Sequence, residues 1–145
     1  AEQPVGKLRW RPPVPLRKPT AAEKPNIIDA TNWGPDCIQC QPRSSQLMPF
    51  FGIGYANQSE ACLFLNVWAP ELPRNATKKL PILFWIHGGG FVAGGSTQFL
   101  GDGVMAMRQG AIYVTVNYRL GAFGFLGGAA VARSSGDGSA GGSTQ

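Results

Sequence analysis

The sequence predicts an α/β fold, and three segments carry that reading. Residues 82–86, Ile-Leu-Phe-Trp-Ile, are apolar without alternation, the pattern of a strand covered on both faces. Residues 111–117, Ala-Ile-Tyr-Val-Thr-Val-Asn, make a second strand-like run. Between them, residues 99–109 read as a short helix, with Val104, Met105 and Met107 as apolar anchors and Gly110 as its stop. Strand, helix and strand in that order form a parallel βαβ unit.

The remaining elements are sparser. Residues 1–48 are studded with prolines, which cannot donate to a strand ladder, so this stretch reads as irregular. Residues 62–68 read as a strand with Leu63, Leu65 and Val67 on one face, and residues 70–79 as a polar loop. Residues 133–145 are Ser/Gly-rich with no apolar side chain larger than Ala, which predicts a flexible tail. The expected organisation is one partial domain over 1–132 followed by that tail, with no internal repeats.

The strand at 82–86 ends abruptly in His87-Gly88-Gly89-Gly90. Three glycines permit backbone conformations closed to other residues and leave their N–H groups uncovered. Bare N–H groups at the carboxyl end of a strand suit an oxyanion developing during acyl transfer, and an HGGG loop in this setting is the oxyanion motif of esterases and lipases. Two other readings compete. A tight turn without chemistry is one. The other is a loose dinucleotide fingerprint through Gly88, Gly90 and Gly94, but the next strand ends in Tyr118-Arg119 rather than the acid such a site needs.

Composition narrows the classes. Of the 145 residues, 43% are hydrophobic and 14% charged, against the roughly 25% charged of ordinary soluble proteins, so much of this surface expects cover. The net charge of +5 gathers early, at Lys7, Arg9, Arg11, Arg17, Lys18 and Lys24. Without stacking aromatics or a known module among them, these read as a solvated face and not as a nucleic-acid site. No run approaches the ~18 apolar residues of a membrane span. Cys37-x-x-Cys40 has the spacing of a redox or zinc pair, but no second pair or histidine stands near to complete four ligands, so no metal is expected. The sequons Asn57-Gln-Ser59 and Asn75-Ala-Thr77 lie in polar stretches and are candidate glycosylation sites.

Four segments in order resemble the type-B carboxylesterase and cholinesterase-like family, including its fungal esterase–lipase branch. They are Gln3-Pro-Val-Gly-Lys-Leu-Arg-Trp-Arg-Pro-Pro13, Ser59-Glu-Ala-Cys-Leu-Phe-Leu-Asn-Val-Trp68, Trp85-Ile-His-Gly-Gly-Gly-Phe91 and Val116-Asn-Tyr-Arg-Leu-Gly-Ala-Phe-Gly-Phe-Leu126. The resemblance implies the N-terminal part of an α/β-hydrolase fold and an intact parent that hydrolyses small-molecule or lipid esters through a serine, without a cofactor. By resemblance, Gly89 and Gly90 supply oxyanion N–H groups while Gly88 permits the turn. Cys37 joins Cys62, a closure worth roughly 3.5 kcal/mol on the chain-entropy model, and Cys40 is left over. Arg9 pairs with Glu60. Arg119 resembles an arginine whose acidic partner lies beyond residue 145, so it is expected to be unpaired here. Ala61 replaces the family's usual Asp. The disulfide implies an oxidising compartment and hence secretion.

The family's nucleophile sits in a G-x-S-x-G elbow after the following strand. No such elbow occurs in this chain, and the single histidine, His87, belongs to the glycine loop. Ser96 follows two glycines, but Gln98 stands where the closing glycine belongs. The expectation is therefore an N-terminal fragment with an incomplete central sheet, carrying an oxyanion loop but no triad. The opening at Ala1, within what resembles the family's first motif, and the loss of match after Ala140 agree with that expectation. The alternative is a catalytically inactive, cholinesterase-like adhesion or binding protein.

Overall fold

The computed structural model describes residues 1–17, 20, 29–39, 57–72, 77, 79–98 and 101–135. The two apolar runs pair directly: β4 (Ile82–Ile86) lies parallel to β5 (Ile112–Val116), with helix α1 (Gly101–Arg108) as the crossover. On the other side of β5 runs β3 (Leu65–Trp68), antiparallel, giving the order β3-β5-β4. A second, two-stranded piece joins β1 (Asp36–Cys37) to β2 (Gln58–Ser59) in parallel. One turn of 3-10 helix (Gly6–Leu8) and two short helices, α2 (Gly121–Phe125) and α3 (Ala129–Ser135), complete the described elements.

Register sorts the side chains onto two faces, because successive residues of a strand point opposite ways. Asn66 and Trp85 both pair with Thr115, and Trp68 and Leu83 both pair with Tyr113, so these six share one face. Helix α1 covers that face around Tyr113: Ala106, Ala111 and Tyr113 form a buried cluster with Trp68 and Trp85 packed against it. Trp85 therefore finds cover within this chain.

Helix α1 meets the sheet through small residues. Gly103 and Ala106 are buried, whereas Val104 and Met105, expected as anchors, are 41% and 53% exposed. The reason is the Trp68 ring, which lies so close to Gly103 that an added Cβ would stand 2.6 Å from it. A bulky aromatic on the strand selects a hole in the helix, and the longer side chains turn outward. The helix ends as the sequence predicts, at Gly110, whose φ of 76° is the left-handed conformation of a helix stop.

Strand β3 starts at Leu65, later than the expected Cys62. The chain bends first, through a hydrogen bond from the Phe64 N–H to the Cys62 carbonyl. Leu63 leaves the expected row and packs against the buried cluster of Cys37, Cys62 and Leu120. The residues left in that row point away from the covered face. Leu65, Val67, Ile82, Phe84 and Ile86 are each 56–62% exposed. Among the described residues nothing covers this side and β4 has a neighbour on one edge only.

Helix α3 carries helical structure to Ser135, three residues into the stretch expected to be a tail, and residues 136–145 lie outside the described part. The N-terminal segment, although irregular, is fixed in place. Arg9 pairs with Glu60 at 2.5 Å through two guanidinium nitrogens, and the Trp10 indole donates to the Ala122 carbonyl at 3.1 Å.

A bare apolar edge of this kind invites pairing with another chain. The 145-residue chain expressed alone is expected to be insoluble or oligomeric, and Phe84→Lys, which charges the open face, to raise its soluble, monomeric yield. Size-exclusion chromatography with light scattering checks both. A monodisperse wild-type monomer with a cooperative thermal transition would contradict the expectation.

Candidate functional site

At the carboxyl end of β4 the chain turns sharply through positive φ at Gly89 (120°), Gly90 (60°) and Phe91 (64°). The turn is closed by the Gly89 carbonyl, which accepts from the N–H groups of both Val92 and Ala93 at 3.1 Å. Gly89 is required, since a Cβ there would run into the Ala93 carbonyl. Among the described residues, no hydrogen bond uses the N–H of Gly88, Gly89 or Gly90, and all three residues are exposed. Gly88 and Gly90 border a cavity of about 250 Å³ that Ile86, His87, Phe91 and Tyr118 also line.

The loop has an open crown and a buried foot. Residues 93–96, Ala-Gly-Gly-Ser, are all buried. Gln39 grips Gly94 from one side, its amide Nε2 donating to the Gly94 carbonyl and its Oε1 accepting from the Gly94 N–H, both at 2.9 Å. Asn117, at the end of β5, accepts from the Ser96 N–H at 2.7 Å. The same side chain donates to the carbonyls of Pro35 and Cys62. Thr115 donates to the Ser96 carbonyl at 2.9 Å, and Asn66 donates to the hydroxyls of Ser96 and Thr115. Buried polar groups carry a large desolvation cost unless paired, so these bonds favour one geometry of the foot, although the Asp36 Oδ1 buried beside it has no hydrogen-bond partner among the described residues.

His87 shapes the same loop. It is 3% exposed, and its ring stacks on Tyr118 at 4.2 Å. Nδ1 carries the proton, because its partner at 2.8 Å is the Gly88 carbonyl, which only accepts. Tyr118 in turn donates its hydroxyl to the His87 carbonyl at 2.9 Å. A Cβ on Gly94 would strike His87 Nδ1 and the Gly88 carbonyl, so this glycine too is required. Burial pushes the imidazole pKa down from 6.5, with the Gly88 bond opposing, which keeps the ring neutral at neutral pH. On the far side of the loop, Asp36 is 4% exposed and packs against Gly95, and burial pushes its carboxyl pKa up.

The Cys37–Cys62 disulfide is present, joining β1 to the approach of β3. Cys40 and Asn75 lie outside the described residues, and Asn57 is exposed. Glu60 and Arg9 are together, as already described. Arg119 does not stand alone as expected: it is 3% exposed and the Glu60 carboxylate supports its charge against the cost of burial. Ser96, 2% exposed and held through Asn66, is a structural hydroxyl in the loop's foot. Among the described residues there is no cluster of three or more metal-ligating side chains, and no helix long and apolar enough to cross a membrane. Sequence reading missed Gln39, Asn66, Asn117 and Asp36. Asn66 and Asn117 had left a trace, as amides at the middle and end of otherwise apolar runs.

A mixed sheet whose parallel strand ends in an open glycine loop beside a buried histidine is consistent with part of an α/β-hydrolase fold. Comparison with known proteins agrees. The carboxylesterase family matches residues 1–138, and the chain belongs to that family. It is 42% identical over 127 residues to the para-nitrobenzyl esterase of Bacillus subtilis, covering 87% of this chain and 24% of that protein. It is 39% identical over 130 residues to acetylcholinesterase of Bungarus fasciatus, covering 88% of the chain and 20% of the relative. It is 37% identical over 158 aligned positions to lipase 2 of Diutina rugosa, covering 97% of the chain and 27% of the relative. The chain thus spans about a quarter of the length of these relatives.

Asp36 gives this site a pH signature. A carboxyl whose folded pKa is raised contributes its stability fully below the unfolded value of 3.8, and that contribution is lost as pH rises through the folded value. Asp36→Asn is therefore expected to match the unsubstituted protein at about pH 4 and to be more stable at about pH 7. Urea titrations at the two pH values, carried out on the edge-blocked Phe84→Lys background, read the difference. Parallel stability curves would remove Asp36 from this account.

Proposed function

We propose that this chain is the oxyanion-bearing part of a secreted carboxylic ester hydrolase whose nucleophile, acid and base are supplied by residues outside these 145. The observation that carries the reading is the loop after β4: Gly89 and Gly90 N–H groups uncommitted among the described residues, Gly90 lining a cavity, on a foot held by Gln39 and Asn117. In such a hydrolase a serine Oγ attacks the ester carbonyl carbon while a base removes its proton. The carbonyl electron pair moves onto oxygen, and the Gly89 and Gly90 N–H groups donate to that oxyanion. Collapse expels the alcohol with a proton from the base, and water then repeats the sequence on the acyl-serine. Donors fixed in advance need no reorganisation as the charge develops, and losing one such donor typically costs about 10²–10³ in rate.

His87 does not fit the part of base. Its Nδ1 proton is committed to the Gly88 carbonyl, and burial disfavours its charged form. Its geometry suits a wedge that holds the glycine turn open. The similarity to an esterase of Bacillus subtilis and to lipase 2 of Diutina rugosa supports small-molecule or lipid esters as the substrate class, without favouring one branch of the family. The disulfide and the exposed sequon at Asn57 support an oxidising, secretory route and a glycoprotein.

The 145-residue chain alone is expected to show no p-nitrophenyl ester hydrolysis above buffer and no labelling by a fluorophosphonate. A longer polypeptide containing it is expected to show both. Turnover with labelling by the 145-residue chain would overturn the division of the site. A longer polypeptide that folds but neither labels nor turns over would favour the inactive, adhesion-type alternative.

A further inference from the structure

We infer that Gln39 is a positioning residue for the oxyanion loop, its carboxamide standing in for a neighbouring strand and fixing Gly94 by both backbone groups at once. The inference rests on the hydrolase reading of the loop but concerns a residue on a different segment, reached only through the fold.

Gln39 lies 55 positions from Gly94 in the chain, and the two bonds between them close a ring like that of paired strands. The side chain is itself held. Its Nε2 also donates to the Cys37 carbonyl at 3.1 Å, and the Gln39 N–H donates to Gln58 Oε1 at 3.2 Å. Cys37 is bonded to Cys62, and β1 is paired with β2, so the amide projects from a segment tied down twice. Gly94 lies at the point where the open crown becomes the buried foot. A Cβ there would strike His87 Nδ1 and the Gly88 carbonyl, so movement of Gly94 is transmitted to the first glycine of the turn. Only a group that both donates and accepts can make this clamp, which selects Gln over Glu or Lys.

Gln39→Glu gives a decisive test, because a protonated carboxylic acid keeps the donor–acceptor pair that faces Gly94, although its single O–H cannot also bond the Cys37 carbonyl, whereas the carboxylate has lost the donor. Facing the carbonyls of Gly94 and Cys37, the introduced carboxyl group holds its proton above the ordinary value of about 4.3. Asp36 against Gly95 and His87 against Gly94 also titrate near this loop, so the unsubstituted protein and Gln39→Leu are run at both pH values. In the full-length protein carrying this segment, deuterium uptake is measured for the peptide spanning 88–98 together with kcat and KM. Loss of the donated bonds in Gln39→Glu, and of those together with the accepted Gly94 N–H bond in Gln39→Leu, predicts that at about pH 8 both variants exchange at least about tenfold faster there, with kcat down by a similar factor and KM little changed. At about pH 5 Gln39→Glu recovers both readouts and Gln39→Leu recovers neither.

A folded Gln39→Leu with unchanged exchange and kcat overturns the inference, and so does a Gln39→Glu that fails to recover. Full-length protein that is inactive before any substitution defeats the hydrolase reading instead, and the exchange data still decide the role of Gln39.

Discussion

Gly94 occupies a space with no room for a side chain, between the His87 ring and the clamp of Gln39, and the geometry of the whole glycine turn follows from where it is held. A turn with three positive-φ residues in a row has little stability of its own, because each such residue relinquishes conformational freedom and Phe91 adds strain. The turn persists because segments distant in sequence converge on its foot. Gln39 comes from the disulfide-bonded piece, Asn66 from β3, and Thr115 and Asn117 from β5 and its end. Each bond is worth only about 1 kcal/mol net, yet leaving a partner unpaired in the buried foot costs about 1–3 kcal/mol. The arrangement resists partial loosening for that reason, and the crown above it remains open to a ligand.

Among the described residues, the sheet that anchors the loop is covered on one face only. Trp68, Trp85 and Tyr113 pack beneath α1, while Leu65, Val67, Ile82, Phe84 and Ile86 face outward from the other side. Burying each large apolar side chain fully is worth about 1.5–3 kcal/mol, so this face represents a substantial unrealised stabilisation. The low charge content of the chain, 14%, is the compositional form of the same fact. The loop and the exposed face belong to one strand, β4, so whatever completes the sheet also braces the approach to Gly88–Gly90.

Much of this was legible in the sequence because the signals were local. Residues 82–86 lack alternation because β4 has apolar residues on both faces, and the glycines directly after them announced a turn that other residues cannot make. Family resemblance supplied Cys37–Cys62 and Arg9–Glu60, which join positions no periodicity connects. The failures are non-local. Val104 and Met105 satisfy a helical pattern but turn outward, because the Trp68 ring demands glycine at 103, and nothing within the helix encodes that ring. Leu63 alternates with Leu65 and Val67 yet leaves their row because the chain is bent at the disulfide. Gln39 is an ordinary polar residue in a proline-rich stretch, and its role appears only when residue 94 is brought beside it.

The central claim is that Gly89 and Gly90 present their N–H groups to a developing oxyanion from a foot fixed in advance. A crystal structure of the full-length protein with a phosphonate covalently attached at its nucleophile tests it most directly. The account predicts the phosphoryl oxygen at about 2.7–3.1 Å from both N–H groups, with residues 93–96 unmoved from the geometry of the free protein. A phosphoryl oxygen directed elsewhere, or a glycine turn that rearranges to meet it, would contradict the claim.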